Sequence, residues 1–145
     1  MDASVSADHT QVLDTMVALT RLSRSNRAIV VGSDSMQFYL ALRRRGHRVA
    51  TPATSLIGRG QYAIALVAGA DSAASVEFAL AEASRFLALN ASLAALIRSD
   101  QSDCSVKMRA RLRGLGFRIE AGVRCNEGFV LSAFRQGFAQ MENAA

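Results

Sequence analysis

The residues of this 145-residue chain that are suited to chemistry collect at three turns. Gly32, Ser33, Asp34 and Ser35 follow the apolar run Ala28, Ile29, Val30, Val31 and precede a helical pattern. Backbone N–H groups at the start of a helix bind anionic and polar groups with little help from side chains. Asp34 adds a carboxylate that accepts from an ammonium or a hydroxyl group. A second turn, Gly69 to Asp71, ends another apolar run, and Asp71 is its only ionisable group. The third is Thr51, before Pro52, which offers one neutral hydroxyl. Each has a plainer reading beside the functional one. Gly32 serves as a strand-to-helix turn, Ser33, Asp34 or Ser35 as the helix cap, and Asp71 as a second cap or a solvated acid.

Metal and nucleophile chemistry find less support. Cys104 and Cys125 are isolated, and the histidines are only His9 and His47, so no zinc-ligand spacing is present. Neither cysteine has a histidine nearby in sequence, and both read as inert thiols. His47 reads as the first residue of a strand.

The elements that must position these residues alternate. Val12, Leu13, Met16, Val17, Leu19 and Leu22 have helical spacing, which predicts a helix over 8–22 with Asp8 as its cap and a loose segment at 1–7. A fully apolar strand is expected at 28–31, a helix at 36–45 ended by Gly46, and a strand at 47–51. Residues 53–60 read as a loop, 62–68 as a buried strand, 75–89 as a helix and 92–97 as a strand. An amphipathic helix at 105–115, closed by Gly116, leads to strands at 117–124 and 128–135, joined through Asn126, Glu127 and Gly128. Alternating strands and helices imply a parallel sheet with helices on both faces. Two adjacent strands at the end set this order apart from nicotinamide-binding and receiver domains.

Half of the residues are hydrophobic and 20% are charged, which excludes a disordered chain. The window 78–97 is the most apolar, yet it holds Glu82, Arg85 and Asn90, so it reads as a helix followed by a strand and not as a membrane span. The first 27 residues lack the apolar segment of a secretory signal, which leads to the expectation of a cytoplasmic protein. The net charge of +5 is compatible with anionic partners. Lys107, Arg109, Arg111 and Arg113 recur every second residue, however, and on a helix they point to several faces, which argues against a nucleic-acid track. Phe117, Phe129 and Phe134 read as core or interface residues.

Over about residues 28–136 the chain resembles a small class I S-adenosylmethionine-dependent methyltransferase. Three segments carry the likeness: the strand–glycine turn–helix from Ile29 through Gly32 to Leu42, the strand Tyr62 to Ala68 with Gly69, Ala70 and Asp71, and the tail from Arg111 through Gly116 and Phe117 to Arg135. The resemblance implies a three-layer α/β/α sandwich with a mostly parallel sheet of about six strands and an antiparallel C-terminal strand. It implies one such domain over residues 8–145. It also implies S-adenosylmethionine as cofactor, with no metal, held at Gly32, Ser33, Asp34, Ser35, Thr51, Gly69 and Asp71.

The chain departs from the family pattern at the cofactor positions. Where the family carries Gly-x-Gly-x-Gly, only Gly32 matches, and Asp34 and Met36 replace the other glycines. The second strand ends in Thr51 where an acid normally holds the ribose. The span from Thr51 to Tyr62 is too short for the usual helix and third strand, and Ala63 follows Tyr62 where the family often has Asp. No Asn-Pro-Pro-Tyr follows that strand. The reading is therefore a methyltransferase-like domain with a degenerate cofactor site. The alternatives are a non-catalytic oligomerisation or protein-partner module, and a basic nucleic-acid-binding module. A missing third strand leaves the 47–51 strand at a free edge, where a homodimer is expected.

Overall fold

A computed structural model of the chain describes residues 2–55, 58, 60–98 and 102–136, with the side chains of 2–9 and 102 outside the description. The elements in order are α1 (Asp2–Thr20), β1 (Arg27–Val31), α2 (Ser35–Arg44), β2 (Arg48–Ala50) and β3 (Tyr62–Ala70). They continue with α3 (Ala73–Phe86), β4 (Leu87–Ile97), α4 (Ser102–Gly114), β5 (Arg118–Cys125) and β6 (Gly128–Gln136).

The six strands form one sheet in the order β2-β1-β3-β4-β6-β5. β1 to β4 are parallel, and β6 pairs antiparallel with both β4 and β5. The C-terminal strand is antiparallel, as the family resemblance implied, and lies between β4 and β5.

Apolar runs on β1, β3 and β4 follow from cover on both faces. Ala28, Val30, Ile64, Leu66, Ala94 and Leu96 point to one side, against Val12, Leu13 and Met16 of α1 and Phe38 and Leu42 of α2. Ile29, Val31, Ala65, Val67, Leu93 and Ala95 point to the other, against α3 and α4. Cys104, Met108 and Leu112 recur every four residues on the buried face of α4. Each large side chain so enclosed contributes about 1.5–3 kcal/mol of transfer free energy. Cys104 and Cys125 fall in opposite clusters, with the sheet between them.

Several boundaries differ from the sequence reading, most clearly those of the first and third helices. The first helix starts at Asp2, so Asp8 lies inside it and the backbone is helical over most of the segment read as loose. That helix stops at Thr20, because Arg21 turns left-handed (φ 58°) and folds Leu22 back into the core. The third helix runs from Ala73 to Phe86, starting and ending before the expected 75–89. Leu87 is extended and pairs with Tyr62, and Asn90 pairs with Gln136, so strand pairing claims residues whose apolar spacing suits a helix equally well.

Between Thr51 and Tyr62 the described residues form neither helix nor strand, and β2 is the edge of the sheet. Within the expected loop at 53–60, positions 56, 57 and 59 lie outside the described residues. Among the described residues no helix is long and apolar enough to cross a membrane.

Candidate functional site

In open parallel sheets, ligands bind beyond the carboxyl ends of the strands, where successive connections leave in opposite directions. Here that point lies between β1 and β3, since the chain goes from β1 outward to β2 and then returns to β3 and β4. The structure brings Gly32, Ser33, Asp34 and Gly69 together there.

Gly32 has φ +106°, and a Cβ on it would lie 2.8 Å from the Ala68 carbonyl oxygen and 3.0 Å from the Ala68 nitrogen. Both the backbone conformation and the close approach to β3 require glycine. The Asp34 N–H donates to the Ala68 carbonyl at 2.8 Å and the Ser35 N–H to the Gly32 carbonyl at 3.2 Å. The turn is thus fastened directly to β3.

Across this gap stands Gly69, and the space a Cβ would take on it is bounded by Ser33 Oγ at 2.8 Å and Asp34 Oδ2 at 3.1 Å. Ser33 Oγ also donates to the Gly69 carbonyl at 3.5 Å. Two side chains of the turn therefore fill the gap between the ends of β1 and β3.

Asp34 occupies the N-cap position of α2 but makes no side-chain cap hydrogen bond. Its Oδ2 is ion-paired instead with Nη1 of Arg98, the residue after β4. Arg98 Nη2 donates to Glu127 Oε1 in the β5–β6 turn at 2.5 Å. The three side chains are partly buried, with 20% of Asp34, 30% of Arg98 and 12% of Glu127 exposed. The carboxyl end of the sheet is thus spanned by an acid–guanidinium–acid bridge. The sequence reading missed Arg98 and counted Glu127 only as a turn residue. The available signal was the position of Arg98, directly after a buried parallel strand.

The remaining expected residues are engaged elsewhere. Thr51 is 3% exposed, its N–H donates to Thr54 Oγ1 at 2.8 Å, and the two hydroxyls lie 3.1 Å apart. This closed threonine turn uses the hydroxyl expected to face a ribose. Asp71 is exposed and joins the start of α3, where Ser75 Oγ donates to its Oδ1 at 3.4 Å. Ser72 is the cap of that helix and accepts from the Ser75 N–H at 3.1 Å. Ser35 is the first residue of α2 and is half-buried.

Basic and aromatic residues noted in the sequence have structural partners. Lys107 and Arg111 both pair with Glu77, at 3.0 and 3.1 Å, and tie α4 to α3. Phe117 is buried beneath the Arg135 guanidinium, 4.8 Å from its ring centroid.

No protein-family model matches the chain, and no curated protein matches it in sequence. Solved structures do match in fold. A SAM-dependent methyltransferase from Aquifex aeolicus superposes with a TM-score of 0.59 at 14% identity, over 89% of this chain and 90% of that one. Precorrin-6y C5,15-methyltransferase from Geobacter metallireducens gives 0.58 at 12% identity, over 87% and 88%. A complex of a methyltransferase with its activator from Haloferax volcanii gives 0.57 at 10% identity, over 92% of each chain. The chain has a class I methyltransferase-like fold: a six-stranded, mostly parallel sheet flanked by helices, with an antiparallel C-terminal strand.

Ser33 and Asp34 fill the approach to Gly69, Arg98 holds the Asp34 carboxylate, and Thr51 bonds to Thr54.

Proposed function

We propose that the chain is a methyltransferase-like domain whose S-adenosylmethionine site is degenerate and which works by binding rather than by methyl transfer. The observation that carries this reading is the Asp34–Arg98 ion pair laid over the junction of β1 and β3. A cofactor entering there must separate two partly buried opposite charges and displace Ser33 from Gly69. Methyl transfer relies mainly on holding donor and acceptor in line. A site that cannot seat the donor forfeits that contribution.

The test is calorimetric titration of S-adenosylmethionine and S-adenosylhomocysteine into the full chain, with thermal denaturation alongside. The expected result is no saturable heat and no rise in Tm at millimolar ligand. One-to-one binding at micromolar affinity by either compound would overturn the reading.

A further inference from the structure

The free edge of β2 borders a groove of about 350 Å³, lined by Arg27, Tyr39, Arg43, Arg48, Thr54 and Tyr62 among others. Concave sites for small molecules begin near this size, roughly 300 Å³. Arg27 and Arg48 are register partners on adjacent parallel strands, so two guanidinium groups start from neighbouring backbone positions. Arg43 approaches from α2. It lies over the Tyr39 ring, 5.7 Å from the centroid, and its Nη1 donates to the Tyr39 hydroxyl at 3.0 Å.

Among the described residues no carboxylate pairs with Arg27, Arg43 or Arg48, although five other ion pairs join cations to acids elsewhere. Like charges at adjacent cross-strand positions destabilise a sheet. Arg27 and Arg48 form such a pair, Arg43 adds a third unneutralised cation to the same concavity, and a bound anion would relieve their repulsion.

We infer that the β2-edge groove binds a phosphorylated small molecule of nucleotide size. Arginine presents a planar fork of donors that matches phosphate oxygens in pairs. Arg43 is already oriented by Tyr39, so less side-chain freedom is lost on binding. The groove is compact and all three cations line it, which suits a terminal di- or monophosphate better than an extended backbone. The same cations weigh against pairing of two copies along this edge, because each copy would set its arginines against those of the other. The site is separate from the β1–β3 junction, and its occupancy does not depend on whether that junction binds a cofactor.

The test uses the full chain with three probes at low salt: inorganic pyrophosphate, a nucleoside diphosphate and a single-stranded oligonucleotide. Saturable one-to-one binding of the first two is expected, weakened about tenfold by Arg48→Ala, and more by Arg27→Ala combined with Arg43→Ala. Arg118→Ala, on the opposite edge of the sheet, is the control and leaves affinity unchanged. Arg48→Ala also keeps or raises Tm, because it relieves a like-charge pair, so lost binding is not lost folding. Binding of the oligonucleotide alone would replace the proposal with a nucleic-acid track. Absence of binding to all three at millimolar concentration, or affinity unaffected by the arginine variants, would overturn it.

Discussion

Arg98 Nη1 is ion-paired with Asp34 Oδ2, joining the residue that follows β4 to the residue that opens α2. This contact joins the connections that leave β4 and β1, two strands that β3 separates in the sheet. Glu127 completes it from the β5–β6 turn, so one guanidinium bridges the first and last parts of the sheet's carboxyl end.

Removing the cation leaves two partly buried carboxylates without their shared partner. Arg98→Met is expected to lower stability by about 1–2 kcal/mol, discounted from the range for hydrogen bonds to charged groups because the side chains are partly solvated. In urea denaturation, the double variant Asp34→Asn/Arg98→Met should be more stable than the sum of the single losses predicts. Strict additivity would mean that the pair contributes no coupling, and that it presents no barrier to a ligand at the β1–β3 junction.

The turn after β2 makes a second, independent prediction. Thr54 Oγ1 accepts from the Thr51 N–H at 2.8 Å, and Thr51 is enclosed by the protein. Thr54→Ala leaves that buried donor without its acceptor and should cost about 1–3 kcal/mol. Thr54→Ser keeps the oxygen and should recover most of the loss. Equal losses for the two variants would assign the effect to the methyl group and not to the hydrogen bond.

The alternation of elements was legible in the sequence because strands covered on both faces leave continuous apolar runs, as at Ile29 to Val31 and Ile64 to Val67. The C-terminal hairpin followed from two adjacent strand patterns with no helix between them, and the antiparallel setting of its last strand from the family resemblance. The ends of α1 and α3 were not legible. Arg21 takes a left-handed conformation that no local pattern announces, and Leu87 becomes a strand residue only through its pairing with Tyr62. At the site, the sequence identified Gly32, Asp34 and Gly69 as neighbours-to-be but could not supply their partner. Arg98 and Glu127 meet Asp34 through sheet order, and sequence spacing carries no record of a contact made by three strand ends at once. Thr51, expected to end the second strand, follows directly after β2, and its hydroxyl is taken by Thr54, a local competition between side-chain and ligand bonding.

His47 gives the pH dependence. Burial, followed by the nearby positive charges of Arg45 and Arg24, holds its imidazole pKa below the ordinary value of 6.5. The neutral ring is the form the folded protein favours. In the unfolded chain His47 titrates near 6.5, so between that value and the lower folded pKa the unfolded state binds more protons. Stability therefore rises with pH through this window and is lost as pH falls through it. The carboxylate of Glu77 is shifted below its own ordinary value of 4.5, first by the hydrogen bond from Lys107, and so stays charged over the pH range of the measurement below. Urea midpoints measured from pH 7.5 down to 5.5 should fall for the native sequence. For His47→Gln, which cannot acquire the charge, they should fall less. Identical slopes for the two proteins would show that the ring is as easily protonated in the folded state as in the unfolded one, and that the Arg24 and Arg45 charges are screened from it.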